Sequence, residues 1–161
     1  MFPTSDYTAL FENAAKMGVP YTIHAGEAAG ADSVRTAIDM GAVRIGHGIR
    51  AASDEELIKL IKDKGICLEM CPTSNRITKA VDDMSDYPLR EYIDRGIKVT
   101  INTDDLAIVR TDISREFEYA KQLADLTEQE IYHLKCNAAE ASFADAATKE
   151  WIKAELRRDD D

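Results

Sequence analysis

The stretch Met17-Gly18-Val19-Pro20-Tyr21-Thr22-Ile23-His24-Ala25-Gly26-Glu27 holds a helix end, a strand and a polar loop in one short run. A glycine after a helical pattern takes the left-handed conformation that stops a helix, and Val19 to Ile23 has the composition of a strand. The same order returns at Gly41 before Val43 to Ile45, at Gly65 before Ile66 to Met70, and at Gly96 before Ile97 to Ile101. These rounds predict strands near residues 19–24, 43–47, 66–71 and 97–102, with a helix from Asp6 to Met17 ahead of them. Helices alternating with strands imply a parallel sheet covered by helices, an α/β fold. The polar residues then fall at the carboxyl ends of the strands, the face that carries ligands and catalysis in (β/α) barrels and open α/β sheets.

The helices follow from periodicity and caps. Tyr7, Leu10, Phe11 and Ala14 are spaced as one buried stripe. Ser53 with Glu56 and Thr127 with Glu130 read as capping boxes ahead of apolar stripes. Val34, Ala37 and Ile38 mark a helix ending at Gly41, and Leu89, Tyr92 and Ile93 one ending at Gly96. The segment Pro72 to Pro88 lacks periodicity and reads as a long loop on the active face. Helical patterns follow over residues 113–126, 127–139 and 144–157, and the tail Asp159-Asp160-Asp161 is expected to fray.

Composition narrows the function classes. A chain of 161 residues, 45% hydrophobic, has one-domain length with apolar residues enough for a core, and residues 1–161 read as one half-barrel domain. A net charge of -10 argues against nucleic-acid binding, which needs clustered Lys and Arg. There is no long apolar run to cross a membrane and no basic region leading into an apolar stretch, so the expected compartment is the cytoplasm. Three cysteines, an odd count, argue against a disulfide framework, and Cys67 reads as a packing residue.

His24, Glu27, His47, Asp104 and Asp105 carry the chemistry. Alone, each has a bland reading: a strand-end histidine is commonly structural, Glu27 suits a solvated loop, and the aspartate pair suits a helix cap. Only three histidines occur in the chain, and two hold equivalent positions on successive strands beside glycine. Gathered on one face, these side chains offer ligands for a divalent metal together with proton-transfer groups. His133 reads as structural, and Glu69 has no assigned role.

Four ordered motifs carry a family resemblance: His24-Ala25-Gly26-Glu27, Arg44-Ile45-Gly46-His47-Gly48, Cys71-Pro72-Thr73-Ser74-Asn75 and Asn102-Thr103-Asp104-Asp105. Together with Asn137-Ala138-Ala139 and Ser142-Phe143 they resemble the carboxyl-terminal half of the adenosine deaminase family, zinc-dependent aminohydrolases built on a TIM (β/α) barrel. The resemblance implies four parallel strands with flanking helices, forming the second half of that barrel. It implies that His24 and Asp104 are zinc ligands, that Glu27 protonates the purine ring, and that His47 orients the attacking water and assists its deprotonation. Asp105 is implied to hydrogen-bond nucleophile and purine, and Gly26 to line the substrate. The implied substrate is adenosine, converted to inosine and ammonia in purine salvage; a related adenine deaminase and a silent half-barrel assembly module are the alternatives. Two departures bear on this. The family's His-x-His zinc ligand pair is absent from the sequence, and Leu106 stands where many relatives have proline. Half a barrel is expected to leave two open edges and an apolar interior uncovered, and so to associate, as a homo-oligomer or with a separate amino-terminal half, or else to be a carboxyl-terminal fragment left by truncation or proteolysis and inactive alone.

Overall fold

A computed structural model describes residues 3–158. In chain order it contains α1 (Thr8–Lys16), β1 (Thr22–Ala25), α2 (Ala31–Asp39), β2 (Arg44–His47), α3 (Glu55–Lys64), β3 (Cys67–Met70), α4 (Pro72–Ile77) and α5 (Leu89–Asp94). These are followed by β4 (Lys98–Ile101), α6 (Leu106–Val109), α7 (Ile113–Ala124), α8 (Glu128–Ala141) and α9 (Ala146–Arg158). The four strands pair in parallel in the order β1-β2-β3-β4. A doubly wound sheet reverses direction at a switch point, whereas this order steps one way throughout, which is the winding of a barrel and here gives half of one. Gly18, Gly41, Gly65 and Gly96 all have φ between 65° and 89°, so each expected helix stop is present.

The pleat divides the sheet into two faces. Ile23, Ile45, Leu68 and Val99 share one face by register and are buried under the helices with Val34, Leu57, Ile61 and Leu89. Each such side chain contributes roughly 1.5–3 kcal/mol by leaving water. The other face carries Thr22, Arg44, Glu69, Lys98 and Thr100. Thr22 donates to Glu69 Oε2 at 2.6 Å, Arg44 Nε donates to Glu69 Oε1 at 2.8 Å, and the Arg44 guanidinium stacks 4.5 Å from the Phe143 ring centroid. The expected uncovered apolar interior is therefore corrected: that face is largely polar, and Thr22, Arg44 and Glu69 are linked across three strands.

Other expectations are corrected locally. The strands are shorter than expected, and Val19 and Val43 stay exposed ahead of them. The stripe on α1 is not buried: Tyr7 is 43% exposed and Leu10 61%. Because β1 is an edge strand, α1 lies at the margin of the core, where Phe11 packs beside Tyr21 with ring centroids 5.1 Å apart. The cap of α3 is Asp54, whose Oδ1 accepts the Leu57 N–H at 2.9 Å, while Ser53 ends a preceding 3-10 turn and donates to Arg50 O. The Thr127–Glu130 capping box is present as expected. Pro72 to Pro88 is not a continuous loop, since it contains α4 and a 3-10 turn at Met84–Asp86. Pro72 presets the first turn of α4, and the buried Glu116 carboxylate accepts the Thr73 N–H at 3.1 Å. The frayed tail lies outside the described residues. All three cysteines are free, Cys67 is buried, and no helix among the described residues is long and apolar enough to cross a membrane.

Tyr92 on α5 fastens the loop that follows β2. Its buried hydroxyl accepts the Ala52 N–H at 2.9 Å and donates toward Gly48 O at 2.9 Å. Tyr92→Phe orphans that N–H, and we expect urea denaturation to show a loss of about 1–3 kcal/mol.

Candidate active site

The loops beyond all four strands meet at one point. His24 stands one residue before the end of β1, and its ring lies across β2 at Gly46; a Cβ there would stand 2.9 Å from His24 Cδ2. Glycine before His47 thus makes room for the neighbouring histidine. His47, with φ 65°, and Asp104, with φ 58°, are both left-handed although neither is glycine. Such positions cost on the order of 1–3 kcal/mol each and persist where surrounding contacts enforce them. The two imidazole centroids are 4.9 Å apart, edge to face.

His47 is the hub. Only 1% exposed, it presents Nε2 at 3.5 Å from Glu27 Oε2 and 3.9 Å from Asp104 Oδ2. The donor atoms of His24, Glu27 and His47 lie within 4.8 Å of one another, as do those of His47, Cys71 and Asp104. Burial holds the His47 pKa below the ordinary imidazole value, against the opposing pull of Glu27, so the ring is neutral at neutral pH. Burial likewise raises the Cys71 thiol far above its usual value, leaving it protonated and donating to Glu69 O at 3.4 Å. Among the described residues, neither Glu27 nor Asp104 pairs with a lysine or arginine side chain; the ionisable side chain that both face is His47. Two imidazoles and two carboxylates converging without a protein cation are a donor set that fits a divalent metal.

Several contacts were not legible in the sequence. Ser74, buried on α4, donates to Asp104 Oδ2 at 2.6 Å. Asn75 Nδ2 lies 3.0 Å from His47 Nδ1 and 3.4 Å from Glu27 Oε1. Tyr87 donates to Asn75 Oδ1 at 3.0 Å, and Thr78 to Glu27 Oε1 at 3.3 Å. The signal was the run Thr73-Ser74-Asn75 directly after Cys71-Pro72, small polar residues at the start of a short helix.

The remaining expected residues stand apart. Asp105 is exposed and outside the clustered donors; its Oδ1 caps α6 by accepting the N–H groups of Ala107 at 3.0 Å and Ile108 at 2.9 Å. Gly26, with φ 69°, donates its N–H to Ser33 Oγ at 2.9 Å and accepts the Arg50 N–H at 3.0 Å. A Cβ at Gly26 would come within 2.6 Å of Val34 Cγ2, so this glycine shapes the loop. His133 lies on α8, outside the clustered donors. Beside His24 and Glu27 an open cleft of roughly 350 Å³ runs between Thr4 and Ser33.

Comparison with known proteins identifies the family. The family model for adenosine deaminase matches residues 1–158. Adenosine deaminase from Haemophilus ducreyi is 42% identical over 158 residues, which span 98% of this chain and 46% of that protein. Aminodeoxyfutalosine deaminase from Streptomyces avermitilis is 40% identical over 155 residues, 96% of this chain and 43% of that protein. Among solved structures, adenine deaminase from Arthrobacter aurescens superposes with a TM-score of 0.92 at 31% identity, over 97% of this chain and 48% of that one. The chain thus spans about half the length of the curated relatives it matches.

Asp104 combines a strained backbone with a negative charge on the imidazole that Glu27 also faces. Asp104→Asn keeps a residue that tolerates the left-handed region and removes one negative charge. We expect thermal denaturation to show a gain of about 0.5–1 kcal/mol, the stability that a functional site forgoes.

Proposed function

We propose that this chain, which belongs to the adenosine deaminase family, supplies half of the barrel of a hydrolytic purine deaminase acting on adenosine to give inosine and ammonia. The supporting observation is the convergence of His24, Glu27, His47 and Asp104 at the carboxyl ends of the strands, with donor atoms 4.8 Å apart or less within each cluster. Adenosine is the substrate named for the Haemophilus ducreyi relative; the other two relatives take adenine and aminodeoxyfutalosine. All three names describe removal of an amino group, the chemistry that these four side chains serve.

His24 and Asp104 would hold zinc, with Ser74 steadying the carboxylate. When bound there, zinc would lower the pKa of a water molecule toward neutrality and supply a nucleophile at working pH. Glu27, steadied by Thr78 and Asn75, holds the proton that the purine ring nitrogen takes as the adjacent carbon is attacked. His47 orients the attacking water, Asp105 reaches nucleophile and purine with the carboxylate oxygen that does not cap α6, and Gly26 leaves the loop room for the substrate. A catalytic zinc ordinarily takes three protein ligands, and His24 with Asp104 makes two. The three histidines at positions 24, 47 and 133 form no His-x-His pair, so on this reading further ligands and the remaining barrel wall would be supplied by another segment or chain. A second reading, a half-barrel that serves assembly alone, is favoured by the exposure of Tyr7, Leu10 and Met17 on α1 and just after it.

Ammonia release is the deciding measurement. The zinc-loaded chain alone should be inert and bind zinc weakly. Mixed with the part of the Haemophilus ducreyi enzyme that this chain does not span, it should deaminate adenosine. Glu27→Gln in that mixture should lower kcat by about 10²–10⁴. Activity of the chain by itself, abolished by His24→Ala, would replace this reading with a homo-oligomer using a different ligand set; an inert mixture would leave the assembly reading.

A further inference from the structure

The buried stripe of α7 runs Glu116, Ala120, Ala124, spaced four apart. Alanine at the first position would continue the stripe, whereas a carboxyl group taken wholly out of water costs free energy that hydrogen bonds to neutral groups return only in part. What Glu116 meets there is two donors. Its Oε1 accepts the Thr111 hydroxyl at 2.7 Å, a local bond across five residues. Its Oε2 accepts the Thr73 N–H at 3.1 Å, a bond that reaches α4 across 43 residues of sequence. α4 has need of it. Six residues are far too few for a helix to hold itself together in water. Cys71, at the cap position, turns its thiol to Glu69 O and caps nothing, and Pro72 has no N–H. The Thr73 N–H is therefore the first amide of the helix, and its partner is Glu116. The next two residues are the ones that reach the site. Ser74 donates to Asp104, and Asn75 Nδ2 lies against His47 and Glu27. A further contact between the two helices, the Arg76 guanidinium 5.4 Å from the Tyr119 ring centroid, involves an exposed side chain for which water competes.

We infer that Glu116 is a positioning residue of the site: from α7 it caps α4, and through that bond it sets where Ser74 and Asn75 stand against Asp104, His47 and Glu27. Its own partners are Thr73 and Thr111, so it acts on the site only through α4. What the cap requires is an acceptor at the place of Oε2. Glutamine keeps one, and its amide can donate to Thr111, whose hydroxyl turns to Asp112 O, 3.4 Å away. Alanine leaves the Thr73 N–H without a partner. The catalytic consequence rests on the deaminase reading above, while the placement of α4 does not.

The test is amide hydrogen exchange, read residue by residue by nuclear magnetic resonance on the chain alone. In Glu116→Ala the amides of Thr73, Asn75 and Thr78 should exchange about tenfold faster or more, while those of β3 and α8 keep their rates. The side-chain amide signals of Asn75 and the ring signals of His47 should move with them at fixed pH, and Glu116→Gln should keep the parent pattern. In the reconstituted mixture, kcat per folded chain should fall about 10–10²-fold in Glu116→Ala with KM little changed, and recover in Glu116→Gln. A rise in exchange spread evenly over the chain, Asn75 and His47 signals that stay in place, or a glutamine variant as loose as the alanine one would each overturn the inference, marking a carboxyl that stabilises without placing. Where Glu116→Ala does not fold, Thr111→Val removes the local bond alone and should loosen residues 73–78 to a smaller degree. The parent chain decides even without a variant, since a Thr73 amide that exchanges as fast as in an unfolded chain has no acceptor and sinks the proposal. An inert mixture would remove the deaminase reading and leave the exchange pattern to decide on Glu116; an active mixture with an unchanged kcat in Glu116→Ala would overturn the inference and leave that reading standing.

Discussion

A buried imidazole needs a partner for each ring nitrogen, because an unpaired polar group in the interior costs on the order of 1–3 kcal/mol. At His47 this requirement ties the four strands together. The ring stands at the end of β2, one nitrogen faces Asn75 from the segment after β3, and the other faces Glu27 from the β1 loop and Asp104 from the β4 loop. Satisfying one side chain therefore fixes four loops relative to one another. The left-handed backbone at His47 and Asp104 is the cost of that arrangement, and Ser74 and Asn75 are the contacts that enforce it.

The same economy explains why small residues surround the cluster. Gly46 lets the His24 ring lie across β2, and the Gly26 loop packs directly on Val34. A side chain at Gly46 would press on the His24 ring, and one at Gly26 on Val34 and the Gly48 backbone, so both glycines hold the site's loops by the space they leave empty. Asp105 shows the complementary case: by capping α6 it anchors the loop on which Asp104 is strained.

The architecture was legible because its signals are local and repeated. Each glycine stop, each short strand and the Thr127–Glu130 box is decided within a few residues, and consecutive strands of this kind wind one way. The site's principal donors were legible for the same reason, since strand ends place side chains on one face. What escaped was decided by residues far apart in sequence. α4 is only six residues long and buries Ser74 and Asn75, so it has no apolar period to detect, and its start depends on Glu116 from α7. The α3 cap moved from Ser53 to Asp54 because a 3-10 turn at Ile49–Ser53 consumed the serine. Exposure of α1 was illegible in principle, since a spacing pattern says which face is apolar but not whether anything covers it.

The two faces left open differ in what covering them would gain. On the sheet, Arg44, Glu69 and Thr22 already satisfy one another, and taking a paired charge out of water returns little. On the outer helix, Leu10 is 61% exposed and Met17, just past its end, 77%, so burying them gains the full transfer free energy of apolar surface. A surface covering α1 would therefore gain most, while an apolar surface laid on the sheet face would strand the Arg44–Glu69 ion pair. Apolar gain on one element combined with a polar requirement on another would favour a matched partner over indiscriminate strand pairing.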